Sequence, residues 1–396
     1  MTNRCDSLAL PAVPDAAPST HRWRDRIVVV LFFVALATPG IALFWTASRS
    51  TTMFENRAAA PWPAYLTDGF TRAFEAAFAD RFGGRDLLIQ LHHRAKASIF
   101  GVSPVDKVVI GRDGWLYYAN EDGRDFERRR KASTADEVAA VADGIARRVR
   151  YLSARGIRYV LVVVPDKHTL YPEHLPPAYA RAPDRTVLDA LLDKLSSTAV
   201  DVVDLRGPLR AAKPSRQLYW ATDSHWNFSG GWIGYGEIVA AMRRELALRA
   251  EPVPALSAAF AQGVISGDLV TMIGVPGLRT EPHMVLQMPP SWVDCARDET
   301  GSPPRWDLLR QILHCPAAPL GRADIYHDSM GLVLKSFLPH QLRQSRWFHQ
   351  RQWDLALLAE SPPDIVIDEI VERNLRVMAD AAFLDTAPAE ATRSAR

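Results

Sequence analysis

The chain has 396 residues, 48% of them apolar, and carries 47 Lys and Arg against 45 Asp and Glu for a formal net charge of +2. That length and composition support a sizeable core and exclude a disordered chain. The balanced charge gives no electrostatic case for nucleic acid as a partner.

The first element is an apolar run, Ile27 to Ser48, 22 residues without a charge between Arg26 and Arg49. At about 1.5 Å per residue, a helix of that length spans a hydrocarbon core of about 30 Å, so residues 27–48 are expected to be a transmembrane anchor. Membrane helices tolerate the Pro39-Gly40 pair inside it better than soluble ones do. Arg22, Arg24 and Arg26 crowd the N-terminal flank, whereas Arg49 and Arg57 are sparser beyond it. The positive-inside rule then makes residues 1–26 a cytoplasmic tail. The expected protein is a single-pass component of a bacterial inner membrane with its main domain in the periplasm. The run is longer than the apolar part of a usual signal peptide, which favours an uncleaved anchor. In that topology Cys5 is cytoplasmic, while Cys295 and Cys315 lie in the oxidising compartment and could form one disulfide.

Residues 49–105 read as a membrane-proximal connector and helix. Phe70, Phe74, Phe78 and Phe82 recur every fourth residue and predict an aromatic stripe on one helical face, expected to pack into a core. Val108-Val-Ile110 and the turn Gly111-Arg-Asp-Gly114 before Trp-Leu-Tyr-Tyr118 predict a small hairpin at the entrance to the main domain, residues 106–380. Thr134 and Glu137 make a capping-box signature for a helix whose apolar positions run from Val138 to Leu152. Tyr159 to Val164 is a β-branched run without polar alternation, as in a strand buried on both faces. A helix over Val187–Leu195, a strand over Val200–Leu205 and a helix from about Gly231 to Leu248 continue the alternation. The expected fold is therefore α/β, a mostly parallel sheet with helices on both faces. Residues 381–396 read as a polar tail.

Ligands of such sheets bind beyond the carboxyl ends of strands. Asp166 and His168 follow the strand ending at Val164, and Ser329 follows the apolar stretch Ala323 to Tyr326 at a turn into Gly331. A serine needs an imidazole to take its proton and a carboxylate to orient that imidazole, so these three are candidates for acyl-transfer chemistry. The sequence around Ser329 is not Gly-x-Ser-x-Gly, and a serine there can also be a helix N-cap. Asp223 and His225, in Thr222-Asp-Ser-His-Trp-Asn227, have the same spacing as Asp166 and His168. One pair would be catalytic while the other shapes the pocket. Zinc bound by these Asp and His residues is an alternative, weakened because neither cluster has the i, i+4 histidine pair on a helix that metalloproteases use.

The ordered set Val164-Pro-Asp-Lys-His168, Thr222-Asp-Ser-His-Trp-Asn227, Ser266-Gly-Asp-Leu269 and Tyr326-His-Asp-Ser329 resembles the AlgX/AlgJ alginate O-acetyltransferase family. Glu55-Asn-Arg57, Phe82-Gly-Gly-Arg85, Val109 to Tyr117 and Pro363 to Arg373 extend the resemblance over roughly residues 50 to 375. It implies a domain similar to SGNH hydrolases, with the acid and histidine preceding the serine. Carried over residue by residue, it implies Ser329 as nucleophile, His168 as general base and Asp166 as its orienting carboxylate. Asp223, His225 and Trp226 would contribute pocket architecture or contact the acceptor. Met330 departs from the family, whose members often have an aromatic residue there.

The resemblance further implies an O-acetyltransferase that takes an acetyl group onto Ser329 and passes it to a hydroxyl of an exported polysaccharide. Its donor would be a multipass membrane acyltransferase, with the anchor at residues 27–48 holding the two together. It implies neither a cofactor nor a metal. Two rivals stand beside it: an esterase that removes acetyl groups with the same triad, and a non-catalytic polysaccharide-binding scaffold whose tryptophans stack on sugar.

Overall fold

A computed structural model of the chain describes residues 22–46, 58–64, 68–120, 126, 133–180, 185–198, 200–251, 259–275, 277–286, 295–305 and 307–386. Cys5, the Glu55-Asn-Arg57 motif and most of the tail 381–396 lie outside these residues. The chain divides into two compact units, Met1–His92 and His93–Arg396.

In the first unit residues 27–46 of the apolar run lie in a 25-residue helix, Arg22–Thr46, that leaves Val30, Phe33 and Leu36 exposed. Over the described residues, no helix is long and apolar enough to cross a membrane. The aromatic stripe falls on the helix Phe70–Arg81. Its rings stack on one another, with Phe74 and Phe78 centroids 6.2 Å apart. Contrary to the expected core packing, Phe74 and Phe78 stay 42% and 38% exposed.

The second unit opens with β1 (Val108–Ile110) and β2 (Leu116–Tyr118), an antiparallel hairpin. Asp113 and Gly114 in its turn both have positive φ, 54° and 85°, as an Asp-Gly tight turn requires. The main sheet contains β3 (Arg158–Val164), β4 (Asp201–Asp204), β7 (Arg310–His314), β8 (Leu320–Tyr326), β9 (Leu342–Phe348) and β10 (Ile365–Val371) in the order β4-β3-β10-β8-β9-β7. Every neighbouring pair is parallel except β9 with β7. A separate antiparallel pair joins β5 (Ala259–Ile265) to β6 (Glu281–Leu286).

β3 shows why the sheet needs helices on both faces. Tyr159, Leu161 and Val163 join the core formed with Val141, Ile145 and Leu152 of the helix Ala135–Ser153 and with Leu188 and Leu191 of the helix Val187–Leu195. Val160, Val162 and Val164 point the other way, toward Tyr235, Ile238 and Met242 of the helix Phe228–Glu245. Val160 to Val164 are all fully buried, and each such side chain contributes about 1.5–3 kcal/mol. Thr134 and Glu137 form the expected reciprocal cap. Thr186 and Asp189 form a second one before the helix Val187–Leu195. The helix expected from about Gly231 starts earlier, at Phe228, because the Asn227 side chain caps the Gly230 N–H at 3.1 Å.

Cys295 and Cys315 are disulfide-bonded, their Cα atoms 5.0 Å apart. With a sequence separation of 20, the loop they close stabilises the fold by about 3 kcal/mol in the chain-entropy account.

Candidate active site

The parallel strands β3, β8, β9 and β10 end at one edge of the sheet, and their carboxyl ends deliver Asp166, Ser329, His349 and Arg373 to it. A short bridge between Tyr219 and Trp226 folds the Asp-x-His segment after β4 into a tight loop. The Trp226 indole N–H donates to the Met330 carbonyl at 2.8 Å, so the residues that follow His225 and Ser329 touch directly. Ser329 itself is half-buried at the start of a 3-10 turn capped by Asp328, which accepts the Met330 N–H at 2.9 Å. Asp328 also accepts the Val371 N–H at 2.9 Å, tying this turn to the end of β10.

The two Asp-x-His segments differ in what holds their carboxylates. Asp166 accepts the Arg373 backbone N–H at 2.9 Å and forms an ion pair with the Arg373 guanidinium. Both its oxygens thus bond to Arg373, two residues past the end of β10. His168 is buried, its ring 5.1 Å from that of Phe126.

Asp223, by contrast, is bonded to an imidazole. His225 Nδ1 lies 2.6 Å from Asp223 Oδ1, and the same oxygen accepts the His225 backbone N–H at 2.9 Å. A proton on Nδ1 facing the carboxylate leaves Nε2 as the basic nitrogen. Nε2 is buried and has no hydrogen-bond partner among the described residues. The other Asp223 oxygen accepts the Asp268 N–H at 2.9 Å. Asp268 in turn accepts the Ser224 N–H at 2.7 Å.

Burial disfavours a charged ring, yet the hydrogen bond and charge of Asp223, with the charge of Asp268, raise the pKa of His225 above the ordinary imidazole value. Burial opposes ionisation of Asp223 too, but its bonds to His225 and to backbone N–H groups hold it below the usual carboxylate range. Burial and the charge of Asp223 raise Asp268. Such a couple can take a proton from a hydroxyl and stabilise the imidazolium that results. Asp223, His225 and Asp268 also present ligand-type atoms within 4.8 Å of one another, the one such trio among the described residues, with His225 bonded to Asp223 and Asp268 accepting the Ser224 hydroxyl at 2.5 Å.

Trp226 is fully buried, and a Cβ on Gly234 would come within 2.7 Å of its ring, so it shapes the site from beneath. Trp115, Trp220, Trp232, Trp347 and Trp353 are buried as well, which removes them as stacking platforms for sugar. Sequence reasoning missed Arg373, Lys167, Asp268 and Glu281. The signal for Lys167 and Asp268 lay inside the quoted segments Val164-Pro-Asp-Lys-His168 and Ser266-Gly-Asp-Leu269.

Comparison with known proteins agrees with this architecture. Residues 108–299 match the family model of the SGNH hydrolase-like domain of acetyltransferase AlgX. This stretch resembles the AlgX/AlgJ family. A probable alginate O-acetylase AlgJ of Pseudomonas syringae is 25% identical over 248 residues, 63% of this chain and 60% of that protein. The AlgJ of Pseudomonas aeruginosa is 29% identical over 197 residues, 50% of this chain and 48% of that one. The matched stretch thus spans about half to three fifths of these relatives. The structure of Bacillus cereus PatB1 with a sulfonyl adduct superposes with a TM-score of 0.50 at 15% identity, covering 68% of this chain and 95% of that one, a likeness of fold.

Proposed function

We propose that the chain is an O-acetyltransferase acting on a polysaccharide, with Ser329 as nucleophile, His225 as general base and Asp223 as the carboxylate that orients it. The observation that carries the reading is the Asp223–His225 couple at 2.6 Å, its Nε2 buried and unbonded, on a loop fastened to the Ser329 turn by Trp226. His225 thus takes the role first expected of His168, and Asp223 that of Asp166.

In the first half-reaction the Ser329 hydroxyl gives its proton to His225 Nε2 while its oxygen attacks the donor's acyl carbon. The donor's leaving group takes that proton as its bond to the acyl group breaks. In the second, a sugar hydroxyl gives its proton to Nε2 and attacks the acyl-serine, and the proton returns to Ser329 Oγ. The Ser329 N–H is the first proposed donor to the oxyanion. That of Met330 is committed to Asp328.

The names of the AlgJ relatives, probable alginate O-acetylases, support acetyl transfer to a polysaccharide, and the uncharged run Ile27 to Ser48 is the sequence feature behind the further proposal of an anchor beside a multipass acetyl donor. An esterase would use the same residues with water as acceptor. Incubating the protein with an acetyl donor ester, with and without oligosaccharide, separates the two. Acetyl appearing on sugar is the expected result, and acetate release unaffected by sugar would overturn the transferase reading.

A further inference from the structure

Lys167 lies between Asp166 and His168, yet its side chain reaches neither. It is buried, and its ammonium donates to three backbone carbonyls of the loop that carries the Asp–His couple: Trp220 at 2.9 Å, Ala221 at 3.1 Å and Asp223 at 2.7 Å. An ammonium has three N–H donors, so the match is complete, and a neutral amine would leave one carbonyl short. The Trp115 and Tyr117 rings stand 5.4 and 5.3 Å from Nζ and wall it from water.

The opposite side of the same loop is held by a carboxylate. Glu281, on β6, accepts the Ala221 N–H at 2.9 Å, the Thr222 N–H at 2.7 Å and the Thr222 hydroxyl at 2.6 Å. The carbonyls of Trp220, Ala221 and Asp223 are therefore gathered on one buried cation and the amides of Ala221 and Thr222 on one anion. Gly267 closes the third side: a Cβ there would meet the Thr222 backbone at 2.4 Å.

Burying a cation costs several kcal/mol unless its partners are fixed. Burial indeed pushes Lys167 down to about 7, opposed by the charges of Asp223, Asp268 and Glu281. A methionine is likewise unbranched and flexible, without the charge. What it would not supply is the three-point fix on the backbone of residue 223.

We propose that Lys167 is a positioning residue for the Asp223–His225 couple, its ammonium fixing the loop so that the carboxylate meets Nδ1. The inference rests on His225 being the base. Displacement of a catalytic group by about 1 Å costs on the order of 10²-fold in rate, and that is the loss expected when the three bonds go.

The test uses the full chain in detergent with nitrogen-labelled histidine. The low-field proton of His225 Nδ1 is assigned by its loss in His225→Ala. In folded Lys167→Met this resonance is expected to move upfield or vanish, and labelling of Ser329 by a sulfonyl fluoride to slow about 10²-fold. A folded variant with the resonance unmoved overturns the proposal. Should Lys167→Met fail to fold, Lys167→Gln, which keeps an amide donor, is read the same way. Because the resonance reports the Asp223–His225 contact itself, its response is independent of whether His225→Ala slows labelling, which tests the base assignment separately.

Discussion

Asp166-Lys-His168 and Asp223-Ser-His225 are the same three-residue pattern at the same edge of one sheet, and the fold puts them to opposite uses. In the first, an arginine two residues past β10 captures the carboxylate and the intervening lysine turns away to grip a neighbouring loop. In the second, the carboxylate bonds the histidine two residues on, and the intervening serine bonds Asp268. The spacing of an acid and an imidazole therefore does not decide their pairing. What decides it is whether a stronger, charge-assisted partner arrives from elsewhere in the chain.

The largest effect that would sharpen this contrast is on catalysis. Asp223→Asn removes the charge that stabilises the His225 imidazolium, and its loss should slow acetyl transfer on the order of 10⁴-fold with the fold retained. Steady-state rates beside a thermal unfolding curve check both halves. The corresponding change in the first segment should act on stability. Asp166→Ala removes the buried carboxylate of the Arg373 ion pair and is expected to cost about 3–5 kcal/mol, read from denaturant unfolding. A stable Asp166→Ala protein would break the comparison.

The smallest effect is on pH dependence. His225 works as a base only when neutral, and its pKa is raised, so the rate should fall as pH drops through a value above that of ordinary imidazole. Asp268→Asn removes one of the charges that raise it and should move that acid limb to lower pH. The sign for stability is the reverse: a raised folded-state pKa adds stability below the unfolded value, and that stability is lost as pH rises through the folded one.

Much of the sheet was legible because its signals are local. The capping box at Thr134 and the continuous apolar run at β3 depend only on neighbours in the chain. β10 and β9 were not read as strands, since each carries charges that a local pattern assigns to the surface. Asp368 in β10 is satisfied by the Tyr159 hydroxyl at 2.9 Å and the Trp353 indole at 2.8 Å, and Arg346 in β9 pairs with Asp324 in β8 at 2.7 Å. Those partners lie up to 209 residues away. The candidate site follows the same rule. Ser329, Asp223 and His225 were all singled out, but the choice between two Asp-x-His pairs hung on Arg373, whose approach to Asp166 is a property of the assembled sheet.

The central claim, that His225 rather than His168 activates Ser329, is tested most directly by the rate at which a serine-directed sulfonyl fluoride labels Ser329 in full-length His225→Ala and His168→Ala, each checked for folding. The account predicts a fall of about 10²–10⁴-fold in His225→Ala and little change in His168→Ala. Labelling that survives in His225→Ala and is lost in His168→Ala would contradict it.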